Sequence, residues 1–394
     1  MRNIFSDRRG GVAVVMALCV SVVVAGAAFG VEIGYDHFIQ LQMQQAADSA
    51  AYGAAVEKRR GSNYSTVVAY ATTAATANGY VAATDTIGVE TPVAGNPNTV
   101  RVTLTRNQPR IFTAFFVPGD LVISVKATAT LATAANACIL ALDPSASSAA
   151  NFSGNSSTTL NGCVVMANSM SSSAVNVQGS AQVWTPCVFS VGGVSMTSGA
   201  HLTDCPSAQT GQSPVGDPYA SLALPADTGT CLNGNGSNLS PGRYCGGLSL
   251  KNTVTFQPGV YIISGGTFSA NANANISGSG VTFILMNNAS ISFNGNAHFN
   301  LTAPTTGPYA GFLFVGERTN TSAITLNGDG TSSMTGAIYF ANQPVSYLGN
   351  FAGTNGCTQI VARTVQWSGS TTVSVDCTAF GIQAIKVGGV ALTA

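Results

Sequence analysis

Charge is scarce in this chain. Asp, Glu, Lys and Arg make up 8% of its 394 residues, against about 25% in an average soluble domain. The 15 basic and 15 acidic residues cancel. No basic run or stripe could neutralise a phosphate backbone, which excludes nucleic acid as an expected partner. Histidine is rarer still, at three residues, and no two cysteines form a CxxC pair. A zinc site therefore lacks both ligands and spacing. No P-loop or GxGxxG lies between a strand pattern and a helix pattern, so no cofactor is expected. What the chain has instead is 44 glycines with abundant Ser, Thr and Asn. Val, Ile, Leu and Phe alternate through them, which sets the chain apart from a disordered one and points to a β-rich, exported protein.

The nine cysteines sharpen that reading. Cys19 lies in an apolar run, and the other eight are Cys138, Cys163, Cys187, Cys205, Cys231, Cys245, Cys357 and Cys377. An even number at wide spacing suits disulfides in an oxidising compartment.

GVAVVMALCVSVVVAGAAFGV, from Gly11 to Val31, carries no charge. At 1.5 Å per residue it is long enough to span a hydrocarbon core ~30 Å thick. Arg2, Arg8 and Arg9 precede it, and Glu32 and Asp36 follow. The positive-inside rule then puts residues 1–10 in the cytoplasm and everything after the 11–31 helix outside. Ala25-Gly26-Ala27 resembles a signal-peptide cleavage site, but the apolar run is longer than a signal h-region. A prepilin would carry a Glu five residues into the run, and none occurs there.

The segment 32–60 has no proline and reads as a continuation of the helix. Ala46, Ala47, Ala50, Ala51 and Ala54, with Ala55, form a small-residue stripe at steps of three and four. Two readings stand: a solvated stalk, or a helix whose small face packs laterally on a partner. Arg8-Arg9-Gly10-Gly11, an uncharged span, Glu32 and Asp36, then QQAADSAA (44–51) resemble the N-terminal region of TadE/TadG-like Flp pilus-assembly proteins over about residues 8–60. Tyr52-Gly53 departs from the Leu-Ala pair usual in that family. The resemblance implies a single-pass inner-membrane protein whose bulk is periplasmic. It also implies other Tad/Flp pilus-assembly proteins as partners, which favours the stripe as a docking face.

Residues 61–136 read as a small α+β module. TVVAYATTAATANGY (66–80) is helical up to Gly79, and TVRVTLTR (99–106) and LVISVKATATLA (121–132) alternate as half-buried strands do. FTAFFVPGD joins them as an apolar connection turning at Pro118-Gly119.

From residue 137 to 394 charge nearly vanishes and a loose unit recurs around glycine. Gly154, Gly179 and Gly199 form one series, and Gly328, Gly349 and Gly369 another. A period of about 20 residues with short strands marks stacked coils. The expected fold is mainly β: an N-terminal transmembrane helix and small α+β module, then a right-handed parallel β-solenoid-like domain. Pairing the eight cysteines in sequence order places most partners about one coil apart, where rungs ~4.8 Å apart fall within disulfide reach. Other pairings stay open. The blocks 241–286 and 357–369 also resemble the C-terminal region of TadG-related proteins, a parallel β-helix-like domain without known reaction. DPYASLALPA (217–226) reads as a surface connector.

Chemistry is thin. Asp143-x-Ser145-x-Ser147 resembles the metal-ion-dependent adhesion motif of von Willebrand A domains, but no amphipathic helix follows, and Asp143-Pro144 suits a turn. Asp204, Asp217, Asp227, Glu317, Asp329 and Asp376 are too scattered for paired-carboxylate cleavage of a polysaccharide. Glu317-Arg318 reads as a surface ion pair, Asp329 as a turn residue and His298 as a hydrogen-bonded strand residue. His201 lacks a triad context. The chain is read as a non-enzymatic assembly component. The alternative is a surface adhesin or glycan-binding module, for which Tyr309, Tyr347 and Trp367 would be the aromatic contacts if exposed.

Overall fold

The computed structural model describes residues 11–59, 62–131, 135–349, 351, 357–374, 377 and 380–393; Arg2, Arg8, Arg9 and Asp376 lie outside them. Two compact units result, residues 1–132 with 390–394, and residues 133–389. The sequence reading gave the second unit the whole C-terminus. Its last strand instead returns to the first unit.

In the first unit, α1 is one unbroken helix from Gly11 to Arg59. Its N-terminal part is apolar on every side and open, with Val22 and Val23 about 70% exposed, and it is long and apolar enough to cross a membrane. Beyond Glu32 the helix becomes one-sided. Ala46, Ala47, Ala50, Ala51, Ala54 and Ala55 are all buried. They pack with Val67, Ala71 and Ala75 of α2 (Tyr64–Thr76) and with a four-stranded antiparallel sheet. The sheet runs β1 (Asp85–Glu90), β2 (Thr99–Gln108), β3 (Leu121–Leu131) and the C-terminal strand Val390–Thr393. The small-residue stripe is thus a docking face for the chain's own helix and sheet. This corrects its reading as a surface for another subunit. Side chains without bulk let α2 come close: a Cβ on Gly53 would sit 3.4 Å from that of Ala74.

Local signals set these elements. Asn63 caps α2 by accepting the Thr66 N–H at 3.0 Å. Val100, Val102 and Leu104 alternate inward on β2, as do Ile123, Val125, Ala127 and Ala129 on β3. Arg106 of β2 grips Asp85 of β1 with two nitrogens at 2.6 Å and donates to Gly79 O, tying the edge strand to the end of the helical turn.

The second unit is a parallel β-solenoid with three strand-bearing faces. On the first face, one ladder of Cα partners runs Val188, Val165, Ile139, Ile360, Ile338, Phe314, Phe283, Tyr261, Gly242. The chain therefore enters in the middle of the stack at residue 135 and winds to one end. It then crosses to the opposite end and winds back until residues 358–367 lie beside 135–152. The third face repeats this junction, with Thr371–Ser374 paired to Ser157–Asn161. Coils advance by about 20 to 30 residues, consistent with a repeat architecture carrying loop insertions.

The interior is one linear core. Tyr244, Tyr261, Phe283 and Phe314 follow one another along it with neighbouring ring centroids 5.3–6.0 Å apart. On the next face, Tyr347, Trp367 and Phe152 form a second row that crosses the junction, at 4.4 and 6.2 Å. Within each glycine series noted in the sequence, neighbouring members such as Gly349 and Gly369, or Gly154 and Gly179, stack in adjacent coils. A Cβ on Gly369 would meet Gly349 O at 1.9 Å, and one on Gly179 would meet Gly154 O at 3.5 Å. Only hydrogen fits at Gly349 and Gly369, while Gly154 and Gly179 sit at φ 76° and 68°, where a side chain is strained, and both constraints recur once per coil.

Candidate functional site

The first face is apolar on both sides, as buried parallel sheets are. Leu140, Met166, Val315, Ile284, Tyr339 and Val361 point away from the solenoid core and would meet water. The segment 206–230 covers them. It begins beside the last strand at one end, where Gln209 bridges Phe189, and finishes beside the strand at the other end, where Cys231 bridges Arg243. Nine rungs at ~4.8 Å put those points about 40 Å apart. The proline-punctuated connector is therefore a strap along the stack.

Named contacts fix it coil by coil. Asn168 and the Val215 backbone exchange two hydrogen bonds at 2.7 and 2.8 Å. Tyr219 is buried edge-on between Phe312 and Tyr339, with ring centroids at 4.7 and 5.3 Å. Asp217 accepts from the Tyr339 hydroxyl at 2.6 Å. Arg318 donates to Leu222 O at 3.3 Å and to Tyr219 O, and its guanidinium lies 5.6 Å from the Tyr339 ring centre. Asp227 pairs with Arg243, accepts from Ser264 Oγ at 2.7 Å and accepts from the Asn287 amide, touching three consecutive coils. Hydrogen bonding to Arg243, helped by Ser264 and Asn287 against a burial effect, lowers its carboxyl from the usual 3.8 to about 2.

The four disulfides are Cys138–Cys163, Cys187–Cys205, Cys231–Cys245 and Cys357–Cys377, with Cα separations of 5.1–5.6 Å. This is the sequential set. Their placement was not foreseen: Cys205 and Cys231 bracket the strap, and the other two bridges lie at the coils that meet in the middle. Two of the four cross-links therefore pin the strap ends to the terminal coils, which have one stacking neighbour instead of two.

The other ionisable groups singled out in the sequence are likewise engaged. Asp143 accepts from the N–H groups of Ser145 and Ala146 at 2.9 and 2.8 Å and from Arg363 Nε at 2.8 Å. Its turn and its ion pair across the junction leave no open oxygen shell for a metal, and Ser147 is not part of the cluster. Glu317 and Arg318 do not pair with each other: Glu317 accepts the Asn287 N–H at 2.9 Å, while Arg318 lies on the strap. Asp329 closes a turn with Thr331 and Ser332 and holds His298 at 3.2 Å. Burial raises its pKa, but these hydrogen bonds outweigh that and bring it to about 2. His201 stacks on Trp184 at 4.9 Å and meets Gln182 at 2.9 Å. Among the described residues, no group of three or more His, Cys, Asp or Glu side chains could hold a metal.

The aromatic residues proposed for a glycan face are not exposed. Tyr347 and Trp367 are fully buried in the core, and Tyr309 is 8% exposed under the strap. Tyr347 and Trp367 lie on strands and Tyr309 in a turn, and residue type alone does not tell inside from outside. The outer surface of the remaining faces carries short rows of polar side chains in register, such as Thr255 with Ser277 at 3.2 Å, Thr267 with Ser290 at 3.0 Å, and Gln366, Asn151 and Asn176 in a line across the junction. These rows are flat, neutral and held in place from below. No family model, curated protein or solved structure matches this chain.

Proposed function

We propose that this chain is a membrane-anchored structural component of a Tad-type (Flp) pilus assembly system, working through protein–protein contact and not through catalysis. The observation that carries this reading is how the carboxylates of the solenoid are used. Asp143, Asp217, Asp227, Glu317 and Asp329 each hold a turn, a neighbouring coil or the strap. A scaffold built that way offers rigidity and surface. The disulfides suit an oxidising compartment, and the apolar start of α1 suits an anchor in the inner membrane with the solenoid on the periplasmic side. The pilus system is suggested by the order of features in residues 8–60: arginines, span, acids, then the Gln- and Ala-rich stretch of the helix.

Deletion of the protein, with complementation by the full chain, tests the role. Loss of assembled pili and of surface attachment is expected, and normal pili in the deletion strain would overturn it. Binding of the purified full chain to a glycan array, with pili unaffected, would favour the adhesin alternative.

A further inference from the structure

The connection between β2 and β3 carries a cluster of large apolar side chains open to the surroundings. Phe115 is 90% exposed, Phe116 69%, Ile111 60%, and Val117 and Phe112 nearly half. Folded proteins rarely leave so contiguous a patch in water. Its position is fixed by one carboxylate. Glu32, the first charged residue after the apolar run, is 2% exposed. It accepts the backbone N–H groups of Ile111, Phe112 and Thr113 at 2.8, 2.9 and 2.7 Å and the Thr113 hydroxyl at 2.7 Å. Three amides of a tight turn converge on one side chain, so the loop cannot swing away without leaving that charge unsatisfied. Phe116 also packs on Phe29 of α1, with ring centroids 5.8 Å apart.

The loop is therefore clamped at the outer end of the apolar helix, level with its last turn. Whatever medium surrounds Phe29 surrounds Phe116 as well. Arg110 and Asp120 flank the apolar tip in sequence, the arrangement of an apolar wedge with a charged rim at headgroup depth.

We propose that the 111–117 loop inserts into the outer leaflet of the bilayer beside α1, giving the protein a second membrane contact. The occupant of the patch is lipid, because the patch is continuous with the lipid-facing surface of the helix. This rests on the membrane-anchor reading of α1. With a wedge and a helix both seated in the membrane, the tilt and depth of the α+β module, which is already packed on α1, are restrained relative to the bilayer.

The test uses the full chain in phosphatidylcholine/phosphatidylglycerol vesicles containing lipids brominated on the acyl chain. Single-tryptophan additions are read above the two native residues: Phe115→Trp in the loop, Val22→Trp in the helix, and Tyr64→Trp on the exposed start of α2. Quenching of the added signal and a blue-shifted maximum at Phe115→Trp and Val22→Trp, but not at Tyr64→Trp, are expected. Quenching at Val22→Trp without quenching at Phe115→Trp would overturn the loop insertion and leave the anchor standing. Absence of quenching at both would overturn the anchor and the wedge together. A blue shift at Phe115→Trp that brominated lipid does not quench would assign the patch to a second copy or another protein, and would also overturn the proposal.

Discussion

Asp227 shows how one side chain can govern an assembly of coils. Its oxygens meet Arg243, Ser264 and Asn287, which belong to consecutive turns of the solenoid. Because folding lowers its pKa from 3.8 to about 2, its contribution is fully present above the ordinary value and is lost as pH falls through the lowered one. Melting curves of the native protein and of Asp227→Asn should therefore differ at pH 5 and converge as pH falls from about 4 to 2. A difference that persisted unchanged at pH 2 would show that the carboxylate charge is not what holds the strap. Asp329 titrates over the same interval, so the comparison with the variant, not the acid sensitivity alone, carries the result. In the sequence Asp227 was one of several scattered acids. Its role depends on three coils that alternate-residue patterns cannot bring together.

At the scale of the element, the alanine-rich end of α1 was legible as a face but not as to what it faces. Spacing at three and four residues identifies one side of a helix, and it reads the same whether the neighbour is another molecule or the next helix of the same chain. Introducing Leu at Ala47 should overpack the contact with α2 and the sheet, costing about 1–3 kcal/mol, read as a lower melting temperature of the module. The same change at exposed Gln45 should be nearly silent. Equal effects at both positions would count against the packed face. The strands β2 and β3 were readable from strict alternation, whereas β1 was missed: DTIGVE is short and carries Gly88 in its middle, which weakens any strand pattern. In the solenoid, the glycine period was readable because each corner needs a residue without a side chain. The order of the coils was not, since parallel ladders accept any coil of matching shape as a neighbour.

For the whole molecule, the crossing from one end of the stack to the other predicts an unusual response to cutting. A protease site introduced beside Gly229, a position with open space around it, would divide the solenoid into residues up to about 229 and the remainder. The two pieces remain hydrogen-bonded along all three faces at the junction. They are expected to co-elute as one particle after cleavage and to separate only in denaturant. Separation under native conditions would contradict the stacking order. That order was hidden in the sequence because the connector resembles any other polar, proline-containing loop. The cues to its length and burial were Tyr219 and the flanking cysteines.

The same order sets a schedule. As the chain is made, residues 135–202 emerge well before residues 358–374, the strands that lie against them. Until the end of the chain arrives, the earliest coils present a bare parallel edge, and β3 waits for Val390–Thr393 to cover its own. Unpaired edges invite association with other chains. A product cut short anywhere after the first coils therefore keeps two sticky margins that a complete one closes, and the fold itself distinguishes finished molecules from unfinished ones.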